Sequence, residues 1–319
     1  MPGANGLNHA PISKDRNKSA HLCLQDYKDM RFAVFGNPST AKTCGHELQF
    51  FNLLRSLGDQ IAVDSRYYEF LTDTLKLDIP YDTIFEGNDF TADAVISIGG
   101  DGTFLRTATR VGNKGIPMVG INTGRLGFLA DITTDRITDA ITRIHNGDYT
   151  LEERNLLQIN MEGLPAGHTP YALNDIAILK HDISSMIQVA TSVGGTPMIT
   201  YQADGLVVAT PTGSTAYSLS VGGPIIAPGT NVICLTPVAP HSLTMRPLVL
   251  PAGETIRLDV TSRSHSFLVS IDGNSFSCPE HTAIEISRAP FKISVIKPAK
   301  GDFFATLREK MLWGTDSRK

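Results

Sequence analysis

Cysteine is scarce and unpatterned in this sequence. Cys23, Cys44, Cys234 and Cys278 are scattered through 319 residues, with no Cys-x-x-Cys pair and no histidine at zinc-ligand spacing. That disfavours a disulfide framework and a thiolate metal site, and makes reduced thiols in a cytoplasmic protein the expectation. Long apolar runs are missing as well. None approaches the ~20 residues of a membrane-spanning helix, and the polar opening MPGANGLNHAPISKDRNK lacks the apolar centre of a signal peptide, so no membrane partner is expected. There is no excess of basic charge: 28 Lys and Arg stand against 32 Asp and Glu, a net charge of -4, which gives no reason to expect nucleic acid. Finally, GxxxxGK[ST] is absent and GINTGRLG lacks the spacing of GxGxxG, so neither familiar nucleotide motif is present.

What is there has the composition of an ordinary globular protein, 41% hydrophobic and 19% charged, in a 34.5 kDa chain long enough for two domains. Residues 1–30, rich in Gly, Asn, Pro, Lys and Ser and without periodicity, read as a mobile extension. From Arg31 the pattern is regular. RFAVFGNP is a short buried strand, Ala41 to Leu57 is of helical length, DAVISIGGDGT is a strand feeding a glycine turn, FLRTATRV continues as a helix, and IPMVGINTGRLGFL is another strand. Ile137, Ile141 and Ile144 then recur at helical spacing in a segment ending at Gly147. This alternation predicts an α/β domain over 31–147, built on a Rossmann-like parallel sheet whose ligand site lies at the carboxyl ends of its strands.

Over 148–300 the texture changes to short alternating or β-branched runs punctuated by Gly, Pro, Asn and Asp: LLQINMEG, YALNDIAILK, SMIQVATSVGG, MITYQADGLVVATP, NVICLTPVA, LVLPAGETIRLDVTS, HSFLVSIDGN, TAIEISRA and KISVIKP. They predict a larger antiparallel β domain. Residues 301–319 carry Phe304, Leu307 and Leu312 at roughly helical spacing, as in a terminal helix returning to the first domain.

ISIGGDGTF ends a buried strand in a carboxylate among glycines. Backbone N–H groups from Gly99, Gly100 and Gly102 at a helix N-terminus suit a phosphate. Asp101 would repel that guest unless it accepted a proton from an attacking hydroxyl or held a phosphate-bridging metal, and Arg106, one turn on, offsets its charge. The same residues also fit a plain tight turn with an N-cap aspartate. Asn174 and Asp175 interrupt the apolar run ALNDIAILK, either at a strand end where both reach one ligand or in an ordinary turn. YQADGLVVATPTGSTAYSLSVGGPIIAP combines small and hydroxylated residues with Tyr217, which suits a sugar or a flat ring, or else is a polar interstrand loop.

Taken in order, GGDGT, GINTGRLGFL, LNDIAI, ADGLVVATPTGSTAYSLSVGGPI, APHSLTMRPLVLP and SIDGN resemble the bacterial NAD kinases, from about Arg31 to the Leu-Trp-Gly near the end. The resemblance implies transfer of the γ-phosphoryl group of ATP to the 2′-hydroxyl of the adenosine ribose of NAD, giving NADP and ADP. A divalent ion, magnesium, comes in with ATP, and no protein ligand to a metal is implied. Asp101 is then similar to the family's general base, with Gly102 and Thr103 beside it and Arg106 on phosphate. Asn174 and Asp175 resemble the residues on the ribose hydroxyls, and Asp204 the one at the nicotinamide end. Thr215, Ala216, Tyr217 and Ser220 resemble the residues lining the adenine and nicotinamide pockets, and Ala239 and Asn274 pocket-wall positions. His241 matches the signature too and reads as structural. Gln202 stands where many relatives carry Arg, and Ser185 replaces a larger polar residue, so phosphorylation of NADH is expected as well. The resemblance further implies a homotetramer or homodimer assembled through the β domain, with apolar positions of VICLTPVA and SFLVSI shared between subunits. A lipid or sugar kinase sharing the GGDGT turn, or a non-catalytic dinucleotide sensor, are the alternatives.

Overall fold

The computed structural model describes residues 29–38, 46–124, 127–182, 185–298 and 303–311. The expectations for most of the N-terminal extension, for the start of the Ala41–Leu57 helix and for Leu312 fall outside them.

The first half is a parallel sheet of β1 (Arg31–Gly36), β2 (Gln60–Asp64), β3 (Thr83–Phe85), β4 (Ala94–Gly99) and β5 (Met118–Asn122), with the short β6 (Ile132–Thr133) beside β5. In space the order is β3-β2-β1-β4-β5, so the direction of winding reverses between β1 and β4. In doubly wound sheets the crevice outside the strand ends at that point takes the ligand. Here it opens between Gly36 and Gly99, where the Asn37 N–H donates to the Ile98 carbonyl at 3.1 Å.

Both faces of this sheet are covered. On one side α1 (His46–Ser56), α2 (Ser65–Glu69) and α4 (Ile137–His145) enclose Phe32, Val34, Phe51, Leu54, Ile61, Ile96 and Ile141. On the other, α3 (Asp101–Val111) inserts Phe104, Ala108 and Val111, all on one face at helical spacing. The Ile137–Ile141–Ile144 spacing forms the α4 helix as expected, and Gly147 follows it with φ +69°. The stretch from Gly58 to Asp93 carried no element in the sequence reading. It holds β2, α2 with a π-helical turn through Thr74, and β3. QIAVD holds only three consecutive apolar residues, Ile61 to Val63, too short a run to tell a strand from a helix segment even with Gly58 and Asp59 before it.

The second half adds β7 (Thr150–Met161), β8 (Tyr171–Ala172), β9 (Asp175–Lys180), β10 (Ile187–Val193), β11 (Thr196–Ala203), β12 (Gly205–Ala209), the short α5 (Tyr217–Ser220), β13 (Val232–Val238), β14 (Leu248–Pro251), β15 (Ile256–Thr261), β16 (Ser266–Ile271), β17 (Asn274–Pro279) and β18 (Ile284–Lys297). Six of these form an antiparallel sheet in the order β14-β13-β12-β9-β16-β17. It packs through Ile176, Ile178, Leu206, Val208, Phe267 and Val269 onto β10, β15, β18 and β7.

TAIEISRA and KISVIKP, read as two runs, are one strand. β18 pairs with β7 along its length, and a register shift between Arg288 and Lys292 accommodates Pro290, which has no N–H for a ladder. At its far end Val295 pairs parallel with Met118, so the mixed sheet runs unbroken from the β half into the α/β half. The C-terminal helix α6 (Phe303–Met311) then returns, burying Leu307 but leaving Phe304 62% exposed, so Phe304 is not part of its packing face.

The apolar positions assigned to a subunit interface need correction. Ile233, Cys234 and Leu235 of VICLTPVA, and Phe267, Val269 and Ile271 of SFLVSI, are buried within the chain itself, because both strands lie inside the six-stranded sheet. Exposed apolar side chains sit instead on the sheet-edge strand β14, at Leu248 and Val249, and at Leu243.

Phe104 is fully buried and fixes α3 to the sheet. Phe104→Ala should therefore cost about 3–5 kcal/mol in denaturant unfolding, and a loss below about 1 kcal/mol would mean that α3 is not held by this packing.

Candidate active site

Helix α3 starts at Asp101 with Gly100 as its N-cap in extended geometry. The plain N-cap alternative for Asp101 does not hold, because its carboxylate turns away from its own helix to the loop after β5. Oδ2 accepts the Phe128 N–H at 2.9 Å, and Oδ1 accepts those of Leu129 at 3.0 Å and Ala130 at 3.1 Å. Gly127 makes that approach possible, since a Cβ there would lie 2.0 Å from Oδ1. Asn122, buried at the end of β5, shapes the loop by donating to the Ala130 carbonyl at 3.2 Å and accepting from the Gly124 N–H at 2.7 Å. Before the turn, Gly99 has φ +152° and sits where a Cβ would meet Thr103 Oγ1 at 2.4 Å.

Beside this turn lies a cavity of about 720 Å³ at the reversal point of the sheet. Its walls include Asn37 after β1, Asp64 and Arg66 after β2, Gly102, Thr103, Arg106 and Arg110 of α3, and Asp272, Gly273 and Asn274 of the β16–β17 turn. Arg110 is committed to Asp64 at 2.9 Å. Among the described residues Arg106 makes one hydrogen bond, to Thr103 Oγ1 at 3.3 Å, and neither it nor Arg66 pairs with a carboxylate. Two cations thus remain for an anionic guest, and of the residues singled out from the sequence Gly102, Thr103, Arg106 and Asn274 line this one cavity.

The second cluster is built on Asp272, which sequence reasoning passed over. Asp272 and Gly273, with φ of +47° and +83°, form a two-residue turn between β16 and β17. The Asp272 carboxylate accepts the N–H groups of Leu173, Asn174 and Asp175 at 2.7, 2.8 and 3.1 Å, which orders the Asn174-Asp175 step at the start of β9. Thr210 ties the following loop to the same place, its N–H donating to the Asn174 carbonyl and its hydroxyl to that of Leu173. The Asn174 side-chain oxygen is buried with no hydrogen-bond partner, an acceptor waiting for a donor.

Burial pushes the Asp175 carboxyl up to about 7, reinforced by the neighbouring Asp272 charge and opposed by the Tyr217 backbone N–H. Burial likewise raises Asp272, against its three N–H donors. The Tyr217 phenol is raised by burial and then by Asp175 and Asp204, so these residues share one region; Asp204 is itself paired with Lys180 at 2.8 Å.

The remaining expected residues lie apart from the large cavity. Thr215 lines a smaller one with Phe128, Arg154 and Lys297. Ser185 and Gln202 sit at the same end of the β10–β11 hairpin, Ala239 follows β13 with φ +43°, and Ser220 ends α5; none lines either cavity. The His241 N–H donates to the Gln202 carbonyl at 2.9 Å, a main-chain contact in keeping with a structural role. Asn122, Gly127, Arg66 and Asp272 were missed as site residues. GINTGRLGFL and SIDGN contained three of them, but a glycine needed for close approach and an aspartate serving backbone donors look like turn residues in one dimension.

A doubly wound sheet with a glycine turn at its reversal point, and a β-sandwich hairpin reaching into the same crevice, defines a two-part α/β and β nucleotide-binding enzyme. Residues 41–149 match the family model of the ATP-NAD kinase N-terminal domain and residues 173–298 that of the ATP-NAD kinase C-terminal domain. The chain is 54% identical over 289 residues to an NAD kinase of Bacteroides fragilis, covering 91% of this chain and all of that one. Its fold superposes on the yeast NADH kinase complexed with NADH with a TM-score of 0.80 at 24% identity, covering 90% and 89% of the two chains. An NAD kinase from Archaeoglobus fulgidus in complex with ATP gives 0.69 at 27% identity, covering 89% and 99%. The chain belongs to the NAD kinase family. The lipid- or sugar-kinase alternative falls with that.

Asp175 is raised from the ordinary aspartate value of 3.8, so its contribution to folding is full below about pH 4 and is lost as the pH rises through about 7. Asp175→Asn should therefore raise Tm by a few degrees at pH 8, with the gain fading toward pH 4. An equal effect at both pH values would contradict the account.

Proposed function

We infer that this chain is an NAD kinase, transferring the γ-phosphoryl group of ATP to the 2′-hydroxyl of the adenosine ribose of NAD to yield NADP and ADP. The observation that carries the site assignment is the Asp101 carboxylate, fixed by three backbone N–H groups beside the Arg106 and Asn274 cavity. In this reading Asp101 takes the hydroxyl proton as the oxygen attacks in line. The N–H groups of Gly99, Gly100 and Gly102, with Thr103, Arg106 and Arg66, receive the donor phosphates. Asn174 and Asp175 hold the ribose, the unpartnered Asn174 oxygen accepting from a hydroxyl and the pair together accepting from and orienting a diol.

Among the described residues no group of three or more His, Cys, Asp or Glu is placed to ligate a metal. Magnesium enters this scheme as part of the nucleotide substrate, where it neutralises charge on the donor phosphates. Tyr217, with Ala216, Thr215 and Ser220, lines the base pockets. Asp204, Gln202 and Ser185 face the nicotinamide end, with Ala239 on its wall. A neutral Gln202 there favours acceptance of NADH beside NAD.

The same reading includes the domain limits near residues 148 and 300, cytoplasmic residence and a homo-oligomer, tetramer or dimer. The edge strand β14, with Leu248 and Val249 38% and 44% exposed, supports pairing through the β half.

Purified protein incubated with ATP, magnesium and either NAD or NADH should form the 2′-phosphorylated product. Asp101→Asn should stay folded and bind NAD, with a lowered Tm because its amide nitrogen meets a backbone N–H donor, while kcat falls by at least about a hundredfold because an amide cannot take the proton. Turnover like that of the wild type would remove Asp101 as the base.

A further inference from the structure

Among the described residues the Asp101 carboxylate has one hydrogen-bonding partner that is not backbone. Lys310, on the last turn of α6, places Nζ 3.4 Å from Oδ2 and 4.2 Å from the centre of the Phe128 ring. Phe128 is also the residue whose N–H holds Oδ2 at 2.9 Å. Amide and ammonium therefore meet at one oxygen, and the ring of the same Phe128 lies against the ammonium. A carboxylate offers about four acceptor positions. Two on Oδ1 go to Leu129 and Ala130 and one on Oδ2 to Phe128, all fixed by main chain. The last, on Oδ2, belongs to a side chain that can yield it, so Oδ2 is the oxygen that an incoming hydroxyl can reach. The ion pair is about a third exposed on both sides, at 31% and 31%, and a pair that open adds little to folding. What it adds is orientation of Oδ2, supplied by a helix that Leu307 seats in the core.

We propose that Lys310 is a positioning residue for phosphoryl transfer: steadied over Phe128, its ammonium holds Oδ2 of Asp101 ready for the ribose hydroxyl, so that docking of the C-terminal helix completes the base. This rests on the assignment of Asp101 as base.

The test compares Lys310→Met and Lys310→Arg in the full chain, each also combined with Asp101→Asn, whose slow residual turnover is followed as product accumulated over hours. Lys310→Met should lower kcat about tenfold, leave KM for NAD and ATP within about threefold and leave Tm unchanged, with Lys310→Arg recovering most of the loss. In the Asp101→Asn background the Met change should alter turnover less than about twofold, because the partner is already neutral. A wild-type kcat in Lys310→Met, equal losses in both backgrounds, or failure of Arg to improve on Met would overturn the role of Lys310. Full activity of Asp101→Asn alone would instead remove the base assignment, so the two failures are separable.

Discussion

The active-site half of this molecule depends on a carboxylate that crosses from one strand–helix turn to the next. Asp101 leaves the turn after β4 and binds three successive N–H groups in the loop after β5. Charge-assisted bonds of this kind are stronger than neutral ones, and buried backbone donors need partners. One side chain thereby fixes two loops at the point where the parallel sheet reverses its winding. The surrounding sequence is arranged to allow it: Gly127 leaves room beside Oδ1, Asn122 bends the loop, and Phe104 holds down the helix that Asp101 begins.

The β half repeats the same device. Asp272 collects three N–H groups from Leu173 to Asp175, as Asp101 does from Phe128 to Ala130. In both places a carboxylate organises a loop, and β18 pairs with β5 of one half and β7 of the other. The cost is visible at Asp175, whose burial beside Asp272 opposes its ionisation. Such strain in charge is common where a site must bind polar groups in partial shelter from water.

Much of the architecture was legible because its periodicities are local. The strands at Arg31 and Ala94, the Ile137–Ile141–Ile144 helix and the antiparallel texture beyond residue 148 follow from side-chain spacing alone. β2 was not legible, since its three apolar residues, Ile61 to Val63, are too few to show a period and fit either regular structure. Nor was the continuity of β18, because Pro290 looks like a strand end until a partner strand absorbs the register shift. The GGDGT turn drew attention to Asp101, yet its partners are about 28 positions away and donate through backbone, which no residue type announces. Asn174, Asp175 and Tyr217 were each singled out from the sequence, while Asp272 beside them was hidden in a turn of ordinary composition.

If this cross-loop carboxylate is the constraint on which activity rests, the decisive measurement is the kcat of Gly127→Ala, which removes no charge and replaces no side chain assigned to a substrate. The added methyl would fall 2.0 Å from Asp101 Oδ1 and must push the carboxylate from its three donors. With the protein still folded by circular dichroism and thermal melting, turnover should fall by about a hundredfold, the scale of loss expected from an ångström of misplacement at a reacting group. Turnover within about twofold of wild type would contradict the account, since the carboxylate would then work equally well without the geometry that Gly127 permits.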